Sequence, residues 1–261
     1  MIIDAHNHFW TYNTQEFGWI ADDVLRRDFQ PGDLLTQQAA LGITGTIAVE
    51  ARQSLEETHT LIHFAERHTQ IKGVVAWVDL CGKPNWAQEV VHPKVVAVRH
   101  VVQDEPDDNF ILREDFNRGV SLVGELNLAY EILVFQRQLK NVLAFADRHP
   151  TMRLILDHMG KPQPGPNAFV VWRQLMTELA QRPNVFCKVS GLVTEVGRCD
   201  FRPYFDVVLN AFTPKRVVWG SDWPVLTANL SYADWFNTCQ QTLPACCFGE
   251  TSAAFYKLKK D

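Results

Sequence analysis

The 261-residue chain lacks any Cys-x-x-Cys pair among its six cysteines, Cys81, Cys187, Cys199, Cys239, Cys246 and Cys247. Zinc-knuckle and dithiol redox motifs are thereby excluded, and the cysteines read as reduced structural thiols. It lacks an apolar run of membrane-spanning length, and an opening that joins a basic stretch, an apolar core and a small-residue cleavage site; a soluble cytoplasmic protein without membrane partners is expected. Positive charge is in short supply: 25 Lys and Arg stand against 30 Asp and Glu, for a formal net charge of -5, and the basic residues are scattered, which disfavours nucleic acid as a partner. No internal repeat, low-complexity tract or Pro/Gly/Ser-rich linker divides the chain, so residues 1–261 are expected to form one domain. Absent too is a glycine-rich turn after the first apolar run, the mark of a dinucleotide-binding open sheet.

What is there is an alternating pattern. Hydrophobic residues make up 46% of the chain, enough at this length for a substantial core. Short β-branched runs recur near 2–8, 43–50, 71–79, 95–102, 130–134, 153–157, 184–190 and 216–221, while the segments between them, such as 54–68, 136–148 and 169–181, carry apolar residues at helical spacing. Eight strand–helix alternations imply a parallel sheet with right-handed crossovers that closes as a (β/α)8 TIM-like barrel, with an open doubly wound sheet as the runner-up.

In such a barrel, reactive groups gather at the carboxyl ends of the strands. His6 and His8 end the first run, one residue apart, so that on a strand both imidazoles share a face and converge on one point. Glu50 and Arg52 follow the second run, Asp79 ends the third, Arg99 and His100 the fourth, Asp157 and His158 the sixth. Lys188 and Ser190 lie near the seventh, and Ser221 and Asp222 after the eighth. Glu50, Asp79 and Lys188 are read as caps or salt-bridge partners, and His6, His8, His158 and Asp222 as functional.

The runs Ile2 to Trp10, Ala97 to Pro106, Leu156 to Pro162 and Trp219 to Pro224 together resemble the amidohydrolase superfamily, and within it the sugar-lactonase-like branch of L-fuconolactonases and L-rhamnonolactonases. The likeness extends to Phe255-Tyr256, so it spans essentially the whole chain. It implies a barrel of amidohydrolase type and, in carbohydrate catabolism, water-mediated opening of a sugar (aldonic acid) lactone such as L-fucono- or L-rhamnonolactone. On this resemblance His6 and His8 match the first-strand pair, His158 the sixth-strand histidine and Asp222 the eighth-strand aspartate. The fifth run, Tyr130 to Val134, lacks the histidine of binuclear members, and Arg99-His100 replaces a bridging lysine or glutamate, so a binuclear metal centre is not expected. Thr251, where relatives often carry Asn, reads as a helix-start variation.

Lactone hydrolysis needs an activated water, stabilisation of an oxyanion and a proton for the departing alkoxide. Asp222 is the natural general base. His6, His8 and Asp222 suit one divalent ion, Zn²⁺ or Mn²⁺, with an open position for water; metal-independent relatives in the branch imply the alternative, in which the histidines orient by hydrogen bonding alone. Arg99 and His100 are expected to bind substrate and polarise its carbonyl, and His158 to assist the carbonyl or the leaving oxygen. Trp10, Trp19 and Trp223 offer apolar faces for a sugar acid, whereas Trp77 and Trp219 read as core. Residues 11–30 form a loop long enough to cover the pocket.

Two other readings stand beside this one. Hydrolysis of a dicarboxylic pyrone or muconolactone, or decarboxylation of an aromatic acid, calls for several arginines, and the chain offers Arg99 with Arg52 or Arg27. A non-catalytic barrel binding a sugar acid or metal has no need of a base beside a water site. A homo-oligomer through the outer helices stays open, since no heptad or apolar stripe singles out an interface.

Overall fold

A computed structural model describes residues 1–259; the last two of the 261 residues assigned above to one domain lie outside them. Eight parallel strands follow one another round the sheet in chain order: β1 (Ile3–Asn7), β2 (Gly45–Val49), β3 (Ile71–Ala76), β4 (Val95–His100), β5 (Ala129–Ile132), β6 (Leu154–Leu156), β7 (Val185–Val189) and β8 (Val217–Trp219). The helices are α1 (Pro31–Ala40), α2 (Leu55–Arg67), α3 (Glu114–Glu125), α4 (Leu139–Arg148), α5 (Pro166–Leu179), α6 (Leu192–Val196), α7 (Arg202–Phe212), α8 (Tyr232–Gln240) and α9 (Glu250–Tyr256). Only the β3–β4 crossover departs from the alternation, using a 3₁₀ helix, Pro84–Val90, in place of an α-helix. Among the described residues, no helix is long and apolar enough to cross a membrane.

Local chemistry sets the helix starts. The Ser54 hydroxyl accepts the Glu57 N–H at the start of α2, and Ser231 accepts that of Asp234 at the start of α8. Ser231, which completes an Asn-x-Ser sequence, is therefore a helix cap here.

The barrel interior is layered. Ile3, Ala5, Ile47, Val49, Val75, Ala97, Ala129, Ile155 and Val218 fill its lower part, sealed from below by Phe255 and Tyr256 of α9. Above this plug lie four fully or almost fully buried charges, Arg99, Glu131, Asp157 and Lys188, and above them a cavity opens. A larger apolar layer, with Trp172, Trp219 and Trp235, fills the space between sheet and helices. Trp77 differs from expectation: it is half-buried, and its indole N–H donates to Gln53.

The seam between β8 and β1 has no extended ladder. It is closed by bonds just beyond the strands: the Asp222 N–H donates to the His6 carbonyl at 2.8 Å and the His8 N–H to the Trp223 carbonyl at 2.7 Å. Below them Asp4, fully buried, accepts the Ser221 N–H at 2.8 Å and the Ser221 hydroxyl at 2.6 Å. Gly220 makes this approach possible, because a Cβ there would sit 2.7 Å from Cβ of His6.

Candidate active site

β1 does not alternate strictly. Asp4 pairs with Thr46 and Asn7 with Ala48, so one extra residue is inserted between them. Ala5 belongs to the interior plug, and strict alternation would turn His6 outward; the bulge brings His6 back to the inside, with His8 beside it. The His6 and His8 Nε2 atoms lie 3.2 Å apart. Asp222 Oδ1 is 3.3 Å from His8 Nε2, 3.7 Å from His6 Nε2 and 4.0 Å from His158 Nε2. The four groups read as functional from the sequence thus meet at one point, and all four are buried.

The backbone there is held in unusual conformations. Asp222 has φ 63°, and His158, Met159, Gly160 and Lys161 form a left-handed turn with φ between 50° and 68°. Side-chain-bearing residues adopt this region only against steric cost, and such strain concentrates at functional sites. The turn lets Asp157 and His158, neighbours in sequence, both face inward. Gly191 leaves room for the His158 ring: a Cβ there would lie 2.5 Å from its Nδ1, which instead meets the Ser190 hydroxyl at 2.9 Å.

Electrostatics assign the charge states. Burial pushes the His158 pKa down to about 4 against the attraction of Asp222, so the ring is neutral at neutral pH. Burial and then the nearby Lys188 lower His6 well below the usual histidine range. Burial alone would raise Asp222, but His158, the His8 hydrogen bond and His6 outweigh it and hold the carboxyl well below the ordinary aspartate range. An ionised carboxylate therefore faces three imidazoles on the cavity floor.

The residues fit a single metal ion. His8 Nδ1 donates to the Val49 carbonyl at 2.9 Å, which leaves its Nε2 lone pair free to face the cluster. Metal–ligand distances of about 2.0–2.1 Å in a tetrahedral site imply ligand–ligand edges of roughly 3.3–3.4 Å. The His6–His8 and His8–Asp222 edges of 3.2 and 3.3 Å match them, and the His6–Asp222 edge, 3.7 Å, is a few tenths of an ångström longer.

Other expected site residues are placed differently. Arg99 lines the cavity, but its guanidinium is clamped: Nε donates to Glu50 Oε1 at 2.7 Å, Nη1 to Asp157 Oδ2 at 3.0 Å and Nη2 to the Glu50 carbonyl. His100, its neighbour on β4, faces the opposite way, stacked on Phe110 with ring centroids 5.0 Å apart and bonded to Glu105 at 2.7 Å. It does not line the cavity. Trp10 and Trp223 are 3% and 2% exposed and belong to the apolar layer, whereas Trp19, 45% exposed, stands at the cavity mouth on the 11–30 loop. Glu50 and Lys188 are ion-paired and Asp79 caps a turn, as read from the sequence. Asp157 and Glu131, which the sequence reading did not single out as site residues, anchor Arg99 and Lys188 beneath the histidines. A glutamate in the middle of an otherwise apolar strand was the signal for the second.

The cavity holds about 640 Å³. Each cation in its wall has a carboxylate partner: Arg52 pairs with Glu16 and Glu57, Lys161 with Glu195, and Arg99 with Glu50 and Asp157.

A family model described as amidohydrolase matches residues 3–258. The L-fucono-1,5-lactonase of Burkholderia multivorans is 39% identical over 250 residues, 88% of this chain and 84% of that protein. The L-fucono-1,5-lactonase of Burkholderia ambifaria is 34% identical over 282 aligned residues, 99% of this chain and 96% of that one. A crystal structure of a Burkholderia multivorans amidohydrolase with bound zinc superimposes with a TM-score of 0.93 at 37% identity, covering 99% of this chain and all of that one.

Proposed function

The chain belongs to the amidohydrolase family, and from that premise we propose that it hydrolyses the ring ester of a sugar-acid lactone of the L-fucono-1,5-lactone type. The observation that carries the reading is the ionised Asp222 carboxylate, 3.3–4.0 Å from three imidazole nitrogens, at the floor of a cavity. The two relatives named as L-fucono-1,5-lactonases support the substrate class.

In this reading Asp222 orients a water between itself and the His6–His8 pair and takes its proton at Oδ1 as the water attacks the lactone carbonyl. Neutral His158, with Nδ1 accepting from Ser190, presents Nε2–H to the carbonyl oxygen as negative charge develops there. The Asp222 proton then passes to the ring oxygen as the alkoxide leaves. Arg99 holds Glu50 and Asp157 in place below the histidines. His6, His8 and Asp222 would hold one divalent ion, which supplies Lewis acidity and lowers the pKa of its water. Trp19 at the mouth gives an apolar face to the sugar carbon skeleton.

Paired cations make a poor receptor for a dicarboxylate, which favours a neutral polyol ring over a pyrone dicarboxylate. The test is proton release in weak buffer with L-fucono-1,5-lactone, its stereoisomers and 2-pyrone-4,6-dicarboxylate, before and after chelation. Preferential opening of sugar lactones supports the reading; turnover of the dicarboxylate alone overturns it.

A further inference from the structure

His6 has two sets of neighbours, and they belong to two different tautomers. In the shorter set, Lys188 Nζ lies 3.1 Å from Nδ1, and His8 Nε2 lies 3.2 Å from Nε2. In the longer set, Asp157 Oδ1 lies 3.6 Å from Nδ1, and Arg99 Nη1 lies 3.4 Å from Nε2. A lysine held between Glu131 at 2.6 Å and Asp157 at 2.9 Å is an ammonium, a donor with no lone pair. If it donates to Nδ1, the neutral ring must carry its proton on Nε2. That proton has an acceptor, because His8 donates its own Nδ1 proton to Val49 and keeps Nε2 free. The shorter set thus closes a consistent chain, Lys188 to His6 to His8 to Val49. The longer set is its opposite: Nδ1–H to Asp157, and on Nε2 a lone pair that meets the Arg99 Nη1 donor at 3.4 Å and can instead be given to an ion.

Only the second tautomer can bind a metal through Nε2. Asp157 Oδ1, the atom that would receive the Nδ1 proton, is buried and faces the Lys188 ammonium at 2.9 Å outside hydrogen-bond geometry, so it keeps a lone pair for the ring. We propose that Lys188 and Asp157 compete for Nδ1 of His6, with Lys188 holding the ring in the tautomer that cannot ligate and ion uptake requiring transfer of that nitrogen to Asp157. Lys188 is then a positioning residue that weakens metal binding at the triad, and the metal-free and metal-bound sites differ by one proton shifted across one ring. The inference rests on His6, His8 and Asp222 being the ion-holding triad.

The test is the nitrogen spectrum of the full chain carrying ¹⁵N-histidine, with His6 identified by its loss in His6→Gln. The expected result is a protonated Nε2 and bare Nδ1 without metal, exchanged for a bare, ligating Nε2 and protonated Nδ1 at saturating Zn²⁺. A protonated Nδ1 in metal-free protein overturns the role of Lys188, as does a pattern unchanged by bound Zn²⁺. If equilibrium dialysis finds no Zn²⁺ bound, the triad reading fails, and a protonated Nε2 in the metal-free spectrum still supports Lys188 as the residue that sets the tautomer.

Affinity gives a second readout. Removing Lys188 alone strands two buried carboxylates, so Lys188→Met is made together with Glu131→Gln and compared with Glu131→Gln alone. Partners behind a metal-ligating histidine typically change affinity by roughly 10–100-fold, so the double variant should bind Zn²⁺ at least about tenfold more tightly. Equal or weaker binding overturns the proposal. Should the double variant not fold, the spectrum of the unaltered protein decides.

Discussion

Asp222 and His6 meet twice: the Asp222 N–H bonds the His6 carbonyl at 2.8 Å, and its carboxylate lies 3.7 Å from the His6 ring. The first contact joins the two edges of the barrel, and the second belongs to the proposed reaction centre.

The roles separate on substitution. Asp222→Asn keeps the backbone bond, and Asn tolerates φ near +60° as well as Asp does. The expected outcome is a kcat about a thousandfold lower, with Tm moved by no more than about 4 °C. Steady-state kinetics beside a melting curve check it, and an active variant would remove Asp222 as base.

Gly220→Ala should do the reverse. The new Cβ falls 2.7 Å from Cβ of His6 and 3.0 Å from its backbone nitrogen, so the seam must shift. Overpacking of this kind costs about 1–3 kcal/mol, and kcat should fall with it because His6 is displaced. Denaturant titration and kinetics on the same preparation check both effects.

Acid sensitivity follows from His158. Its folded pKa, about 4, lies below the ordinary histidine value of 6.5, so between these values the unfolded chain binds a proton that the folded one refuses. The stability contributed is complete above pH 6.5 and is lost as pH falls toward 4. Asp222 stays ionised throughout, so kcat/KM should show no loss from either group until the pH approaches about 5. A pH–rate profile with an acidic limb centred near 6.5 would contradict the assignment.

Zn²⁺ at a hundredfold excess over its Kd should add about 2.7 kcal/mol to stability, a rise in Tm of roughly 5–11 °C. His8→Ala should abolish the rise, as calorimetry with and without metal would show.

Trp19→Ala alters a residue that is 45% exposed, so little fold stability is at stake. Loss of its ring face should raise KM about three- to tenfold with kcat held. A fall in kcat alone would place Trp19 in closure of the loop.

The strand order and the convergence of His6, His8, His158 and Asp222 were legible because strand ends in a barrel share one face. Strand lengths were overread for a local reason. Beyond Ala76, the Thr58 hydroxyl bonds both the N–H and the carbonyl of Trp77, and beyond His100 the Gln53 side chain takes the Val101 N–H, so apolar residues continue where the ladder has stopped. Alternation alone would have separated Arg99 from His100, since adjacent strand residues face opposite sides. The bulge in β1 and the left-handed turn at His158 left no pattern of hydrophobicity to read. Nor does sequence disclose that Trp10 and Trp223 pack on Phe29, each with ring centroids 5.3 Å from it.

A ring fastened by the groups proposed to do its chemistry has a clasp that is also its tool. Heat that parts Asp222 from His6 unfastens the hoop and disarms the chemistry in one event, so activity and compactness should be lost together, with no intact but idle form between them.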